Sequence, residues 1–352
     1  MNDLRALQTQ AGATFASPEA PPLDFANAAA AWQAALMGVA LGDRSHWSLI
    51  ALQGEDRQAF LHNQTTNDIK ALKPGQHCDA VFVNSTGRTL ELATIYATAD
   101  QLWVLASPGQ SQPLLTWLDR YLFPMDRVEL ADLSAAWVCF SLLGPEGGSL
   151  LERLAVPVQG LSPGQHRLQT LGDSSLRVAA GNELALPGYT LFIPAPQAAS
   201  VWQALTEAGA VPLGDRPWQQ LRLRQGRPAV GQELTEEYNP LEAGLWHCIS
   251  FTKGCYIGQE TIARLNTYKG VKQRLWGVQL SGPVEPGTAI VTEDRKIGCL
   301  TSALETPEGW RGLAYVKTKA GGAGDCFPIG TATGTLQGTP FLRHDYDEPP
   351  AP

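Results

Sequence analysis

Apolar residues repeat at helical spacing in several separate parts of the chain. Between residues 25 and 37, Phe25, Ala28, Trp32 and Leu36 fall on one face of a helix with 3.6 residues per turn. Acidic residues directly after Gly54 favour a helix start, because negative charge is stabilised at a helix N-terminus. Similar patterns and stop signals predict helices over 55–61, 114–122, 147–154, 196–208 and 218–225.

Short apolar runs bounded by glycine, proline and aspartate predict strands. Before residue 275 these runs mix with the helices, at 48–52, 79–84, 90–97, 102–106, 136–143 and 188–193. From residue 275 onward only strands are predicted, at 275–280, 288–291, 296–303, 312–316 and 331–336. The order lacks the strict alternation of a doubly wound sheet, so the predicted class is α+β with a small C-terminal β-barrel or sandwich.

The composition is that of an ordinary globular protein. A chain of 352 residues corresponds to two or three domains, and a hydrophobic fraction of 44% excludes a mostly disordered chain. Lysine and arginine number 26 against 34 aspartates and glutamates, which gives a net charge of −8. This balance argues against direct nucleic-acid binding.

No targeting or membrane segment is predicted. The N-terminus lacks a basic stretch followed by an apolar one, and the apolar run 28–41 is too short and too polar to span a bilayer. The six cysteines are scattered and form no CxxC pair, which is typical of a reducing compartment. We therefore expect a cytoplasmic protein with no membrane partner.

The most unusual local sequence is an octet in which a cysteine lies between two glycines and close to a lysine. Its residues are Lys253, Gly254, Cys255, Tyr256, Ile257, Gly258, Gln259 and Glu260. The glycines permit a tight bend, and a helix predicted over 258–265 places Cys255 just before a helix N-terminus. The helix dipole and Lys253 would both favour the thiolate, the nucleophilic form. The alternative is an inert buried thiol, which is the commoner state of a free cysteine.

Other searches for reactive groups find no recognised catalytic or metal-binding motif. The sequence lacks GxSxG, HExxH and GxxxxGK[ST], and its six histidines are dispersed. We therefore predict no metal site, and Cys248 and Cys255 would share a site only if the chain folded back between them.

Two charged segments flank the octet. Residues 233–245 are rich in acids and form either a solvated loop or a rim of hydrogen-bond acceptors around a ligand. Downstream, Arg264, Lys269, Lys272 and Arg274 form a basic cluster that suits a solvated linker, an anionic ligand tail or a stretch of RNA.

The octet resembles the signature K-G-C-Y-x-G-Q-E of the YgfZ family, folate-binding proteins related to the glycine-cleavage T-protein, an aminomethyltransferase. The resemblance extends over about residues 43–340. Residues 239–245 match the family's NPLEAGL segment. Residues 45–46 and 60–68 resemble its N-terminal SH and FLxxxTTND elements, and 296–302 resemble a turn of its C-terminal barrel.

The resemblance implies a three-domain GcvT-like aminomethyltransferase fold around a central cavity, with a small C-terminal β-barrel. The corresponding segments are a flexible N-terminal arm (1–24), a folate-binding α+β domain (25–130), a second α+β domain with the octet (131–274), the barrel (275–343) and a disordered tail (344–352). The implied cofactor is tetrahydrofolate or a one-carbon derivative, including polyglutamylated forms.

The resemblance also implies which residues contact the folate. They are Thr66, Asn67, Asp68 and Arg222, and Glu242 helps to shape the pocket. The sequence departs from the family's LRLEAG-like helix at Arg224, where the family has glutamate.

The resemblance implies a folate-dependent factor that supports assembly or repair of iron–sulfur enzymes, including enzymes that thiomethylate tRNA, with Cys255 and Lys253 as its reactive pair. Its expected partners are folate and iron–sulfur enzymes or assembly proteins. A T-protein-like aminomethyltransferase is less favoured, because the acid pair of that enzyme becomes Glu91 followed by Leu92. A non-catalytic folate sensor or scaffold is the third hypothesis.

Overall fold

The computed structural model describes residues 2–17, 20–293, 295–344 and 346 of the chain. Its helices are α1 (Asn2–Gln10), α2 (Ala28–Met37), α3 (Arg57–Gln64), α4 (Ser111–Asp119), α5 (Gly147–Arg153), α6 (Ala198–Glu207), α7 (Asp215–Gln225) and α8 (Gln259–Thr267). Short 3-10 helices span Ala195–Gln197 and Trp246–Cys248. None of the helices in these ranges combines the length and hydrophobicity that a bilayer span requires.

The strands confirm an α+β protein. In chain order they are β1 (Thr14–Phe15), β2 (Pro22–Asp24), β3 (Ala40–Asp43), β4 (Trp47–Gln53), β5 (His77–Val83), β6 (Thr89–Ala97), β7 (Gln101–Pro108), β8 (Glu129–Asp132), β9 (Trp137–Leu143), β10 (His166–Leu171), β11 (Ser174–Ala180), β12 (Gly188–Pro194), β13 (Val211–Leu213), β14 (Gln273–Leu280), β15 (Ala289–Thr292), β16 (Arg295–Thr306), β17 (Gly309–Lys317), β18 (Cys326–Ile329) and β19 (Ala332–Gln337).

The chain divides into two compact units, each assembled from several stretches of sequence. The first contains Met1–Arg57, Leu72–Cys78 and Thr94–Gln219, and the second contains Gln58–Ala71, Asp79–Ala93 and Gln220–Pro352. This division is not collinear with three successive domains, so the boundaries drawn from the sequence stay a prediction.

The first unit is built on a six-stranded sheet of order β10-β11-β12-β9-β3-β13. Its pairings are antiparallel except for β3 with β13. Alternate side chains of the central strands enter one apolar core, in which the ring of Phe140 meets that of Trp202 on α6 at 5.4 Å. In the same unit β4 pairs with both β7 and β8.

The N-terminal residues are not a loose arm. Residues 2–10 form α1, which contacts α6, and Leu4 is buried in the same core as Trp202. Leu7 packs against this core as well, so the i, i+3 spacing of two leucines provides the apolar face of a short helix. The proline-rich composition of the next residues concealed this signal.

The second unit contains the predicted C-terminal barrel. Strands β14-β17-β16-β15-β18-β19 close on themselves, and their inward-facing residues form a separate core that includes Val278, Leu300 and Leu336. The barrel confirms the prediction made from the closing run of strands.

The start of the predicted tail is also ordered. His344 lies 2.8 Å from the carbonyl oxygen of Leu275 through its Nε2 atom, and the Tyr346 hydroxyl accepts a hydrogen bond from the Val271 amide at 3.1 Å. The remaining residues predicted to be a disordered tail, 345 and 347–352, lie outside the described part of the chain.

Candidate functional site

The octet forms a loop in the second unit that leads into α8. Lys253 and Tyr256 are buried, whereas Gly254 and Cys255 are exposed. Gly258 occupies the N-cap of α8 with a φ of +77°, in the left-handed region that favours glycine. The helix begins at Gln259, one residue later than predicted. The thiol of Cys255 is therefore displayed on a bend whose neighbouring residues are anchored.

The Lys253 ammonium is the main anchor of this loop. Its Nζ donates hydrogen bonds to three backbone carbonyl oxygens, those of His62 at 2.6 Å, Thr65 at 2.7 Å and Asn67 at 2.6 Å. An ammonium has three N–H donors, so these bonds use all of them. Lys253 therefore fixes the octet to residues 62–67. Its proposed electrostatic effect on the Cys255 thiol stays a prediction.

Further contacts hold the octet on both sides of the cysteine. The Ile257 amide donates to the Asn63 carbonyl at 3.0 Å, and the Tyr256 ring lies 4.9 Å from the Lys253 Nζ. Burial raises the pKa of the Tyr256 hydroxyl, so this side chain stays neutral at physiological pH. The loop is thus positioned by residues around Cys255, and the thiol itself is left accessible.

Thr66 is a structural residue rather than a surface donor. It is fully buried, and its hydroxyl donates to the Cys248 carbonyl at 2.7 Å while accepting from the Val81 amide at 2.9 Å. The Asn67 side chain donates to the Asp79 carbonyl at 2.8 Å and accepts from the amide of Asp68 at 2.9 Å. Both side chains shape the loop, and neither needs a ligand to satisfy its hydrogen bonds.

Asp68 is the accessible member of the predicted folate loop. Its side chain is 40% exposed, and its carboxylate lies 3.2 Å from the Nδ1 atom of buried His62 and accepts from the Ala71 amide. Burial and the charge of Lys253 lower the pKa of His62, while Asp68 opposes this effect. A carboxylate with free surface and one fixed orientation is suited to accept hydrogen bonds from a ligand with several N–H donors.

Arg222 lies inside a polar network between α7 and the barrel. It is buried, and its Nη1 donates to Glu233 at 3.1 Å and to the Arg227 carbonyl at 3.0 Å. Its Nη2 donates to Gln232 at 2.8 Å and to the Ser302 hydroxyl at 3.2 Å. The predicted contact between Arg222 and folate stays a prediction, and the geometry gives this guanidinium a supporting role.

Glu242 is also mostly buried. Its carboxylate accepts from the Asn239 amide at 3.1 Å and lies 3.6 Å from the Arg88 guanidinium. Burial raises the pKa of Glu242 despite these two partners. The side chain of Asn239 accepts from the amides of Leu241 and Glu242, which fixes the turn of the NPLEAGL segment. Glu242 thus belongs to a turn that is already fixed by hydrogen bonds before a ligand binds.

The segment that corresponds to the acid pair of aminomethyltransferases offers no exposed carboxylate. Glu91 is fully buried on β6 and accepts a hydrogen bond from the Leu92 amide at 2.9 Å. Leu92 belongs to the apolar core of the second unit. Glu91 is therefore shielded from solvent, and Leu92 carries no group that could transfer a proton.

Sequence reasoning missed His62 and Asp79 as neighbours of this site. In the sequence His62 falls within the FLxxxTTND-like segment 60–68, and Asp79 begins the predicted strand 79–84. A surface crevice of about 370 Å³ lies in the first unit and is lined by residues such as Gly144, Leu161 and Tyr189. None of the predicted site residues lines it.

Comparison with known proteins assigns the family. Residues 9–253 match the GCVT N-terminal domain family, which is more than half of the chain. The protein belongs to this family. It is 39% identical over 313 residues to "Putative transferase At1g60990, chloroplastic" of Arabidopsis thaliana, covering 88% of this chain and 72% of that protein. It is 29% identical over 309 residues to an aminomethyltransferase of Rubrobacter xylanophilus, covering 86% of this chain and 82% of that protein.

The fold comparison covers nearly the whole chain. The crystal structure of glycine cleavage system aminomethyltransferase T from Bartonella henselae superposes with a TM-score of 0.86 and covers 98% of both chains. At 21% identity this likeness concerns the fold alone. It confirms the GcvT-like aminomethyltransferase fold that the sequence predicted.

Proposed function

We propose that this GCVT-family protein binds tetrahydrofolate or a one-carbon derivative, and that it uses the Cys255 thiol to support the assembly or repair of iron–sulfur enzymes. The enzymes served include those that thiomethylate tRNA, as the resemblance to the YgfZ family implies. The observation that carries the proposal is the Lys253 anchor. It joins the loop that displays Cys255 to the loop that displays Asp68 through three short hydrogen bonds.

The residues present fit a reduced folate in part. The 2-amino group and adjacent ring N–H of a pterin form a donor edge that matches the accessible carboxylate of Asp68. Thr66, Asn67 and Arg222 already have protein partners, so they would hold the shape of the site rather than contact the ring. Folate would supply the one-carbon carrier, and these residues would position it.

Cys255 supplies the soft nucleophile or ligand of this proposal. It lies on an anchored bend with an exposed side chain, so a protein partner can reach its sulfur without local unfolding. A thiolate is the form that attacks sulfur electrophiles and binds soft metal ions. The exposed Cys326, on β18 of the barrel, has no such anchored loop and provides a matched control.

The first test separates folate binding from thiol function. Titration with tetrahydrofolate, followed by calorimetry, should give saturable binding that Asp68→Asn weakens and Cys255→Ser preserves. In a strain that lacks the protein, Cys326→Ser should restore the activity of iron–sulfur enzymes, whereas Cys255→Ser should not. Full restoration by Cys255→Ser would remove the role given to this thiol.

An aminomethyltransferase is the second candidate, because several relatives at 27–29% identity carry that name. The buried state of Glu91 argues against it. An assay with a lipoyl-bound aminomethyl donor should show no methylene-tetrahydrofolate formation. Turnover that survives Cys255→Ser would favour this candidate over ours. A folate sensor or scaffold would instead need the folate-site residues and tolerate the loss of Cys255 in the deletion strain.

A further inference from the structure

A group of three side chains outside the folate and thiol residues has the composition of a metal site. In the second unit, a carboxylate oxygen of Asp79, a ring nitrogen of His247 and the sulfur of Cys248 all lie within 4.8 Å of one another. We propose that these three side chains bind a divalent transition metal ion of the zinc class, with a fourth position open to solvent. None of these three side chains has a role in the proposed function.

The donor set selects the class of ion. Nitrogen, thiolate sulfur and carboxylate oxygen together are typical ligands of Zn²⁺ and of its spectroscopic substitute Co²⁺. In a tetrahedral site with bonds of about 2.0–2.3 Å, neighbouring ligand atoms lie about 3.3–3.8 Å apart. The three ligand atoms lie no more than 4.8 Å apart, so they need to approach one another by only about 1 Å when the ion binds.

The backbone that carries the three ligands is fixed by two consecutive residues. The Thr66 hydroxyl donates to the carbonyl of Cys248 at 2.7 Å, and the Asn67 side chain donates through Nδ2 to the carbonyl of Asp79 at 2.8 Å. The Cys248 amide also donates to the Leu245 carbonyl at 3.0 Å. Two chain segments that are distant in sequence are thereby held together before any ion arrives, which reduces the cost of assembling the site.

The burial of the three side chains defines a route of entry. Cys248 is fully buried in the apolar core of this unit, Asp79 is half-buried and His247 is exposed. The Phe341 ring packs edge-on against His247, with the ring centroids 5.4 Å apart, and orients the imidazole. An ion would therefore approach from the His247 side and meet the sulfur at the inner end.

The charges around the site set the expected strength of binding. Asp79 and the Cys248 thiolate together neutralise a dication, and a neutral imidazole completes the set. Arg227 and Arg343 also act electrostatically on His247. Their positive charges oppose a dication, so we expect an exchangeable ion rather than one that the fold requires.

The test is a Co²⁺ titration of the full-length protein after treatment with a chelator. One equivalent should bind, with the visible bands of a tetrahedral ion and a near-ultraviolet thiolate-to-cobalt charge-transfer band. Zn²⁺ should displace the signal. Cys248→Ser should abolish the charge-transfer band, and His247→Ala should weaken binding more than about tenfold. Cys255→Ser is the matched control and should keep both the band and the affinity.

The variants also distinguish the loss of a metal-binding side chain from unfolding of the protein. His247 is exposed, so His247→Ala should retain the circular dichroism and melting temperature of the native protein even if Cys248→Ser does not. It should also keep tetrahydrofolate affinity, so a failure here is distinguishable from a failure of the proposed function. Absence of stoichiometric binding, or a charge-transfer band that follows Cys255 instead of Cys248, would overturn the inference.

Discussion

Replacing Lys253 by methionine should release the loop that displays Cys255. Methionine keeps most of the apolar length that packs beside Tyr256 but removes the ammonium. Three carbonyl oxygens, those of His62, Thr65 and Asn67, would lose a charged donor at 2.6–2.7 Å. Hydrogen bonds to charged groups contribute about 1.5–3 kcal/mol each, and they are not additive, so we expect a loss of about 3–5 kcal/mol.

Hydrogen–deuterium exchange measures this loss where it occurs. The amides of Ser250 and Ile257 donate to carbonyls of Thr66 and Asn63, so they report on the contact between the two loops. A loss of 3 kcal/mol or more should accelerate their exchange at least about 100-fold, since about 1.4 kcal/mol corresponds to a factor of ten. The matched control is Lys319→Met, which removes an exposed lysine of the same unit.

The comparison with Lys319→Met decides whether Lys253 anchors the loop. Exchange in peptides covering 62–68 and 250–258 should accelerate in Lys253→Met and stay at the native rate in the control. If the two variants exchange alike, the three hydrogen bonds contribute nothing measurable. Lys253 would then have to be considered a reactive group, as the sequence first suggested.

Three further changes test other parts of the structure. Gly258→Ala should lower the melting temperature strongly, because φ is +77° and a Cβ would lie 2.5 Å from the Asn84 carbonyl oxygen. Gly254→Ala is the control and should be tolerated, because the nearest atom to its Cβ would be 3.9 Å away. Equal melting temperatures of the two variants would contradict this reasoning. Glu233→Gln should lower the free energy of unfolding by about 3–5 kcal/mol, because the buried Arg222 would lose the carboxylate that lies 3.1 Å from its Nη1. Glu237 is exposed, so Glu237→Gln should change the free energy of unfolding very little in the same denaturation assay. Burial, with the charge of Arg177, lowers the pKa of His166 from 6.5 to about 4. Between these two pH values the unfolded chain binds a proton that the folded protein does not, so about 3 kcal/mol of stability should be lost as pH falls from 6.5 to 4. Thermal melts of His166→Gln should lack this part of the pH dependence.

Elements with a strong periodic pattern could be predicted from the sequence. Helix α6 and the barrel strands were found because their apolar positions are regular and their ends carry glycine or proline. The hairpin β10–β11 was missed, since polar residues separate the two leucines of β10 and one of them, Leu168, is exposed. Its pairing is decided by the sheet around it, which a local pattern does not contain.

The roles of individual site residues could be predicted only in part. The flanking glycines left open an accessible or a buried Cys255, and in the structure this residue is exposed. The burial of Thr66 and Arg222 did not follow, because their partners Cys248, Val81 and Ser302 are distant in sequence. A polar residue in a motif therefore indicates where a site is built, while its partners decide whether it touches the ligand.

Within the octet, structure and chemistry can be assigned to different residues. Lys253 binds three carbonyls, Tyr256 packs beneath the ammonium and Gly258 adopts a backbone conformation that other residues reach only with strain. Cys255 has no comparable structural task, since an exposed sulfur adds little to a packed core. Cys255→Ser should therefore leave stability unchanged and abolish function in the deletion strain, whereas Lys253→Met should impair both. A stable Cys255→Ser variant with full function would mean that the octet is only a structural turn.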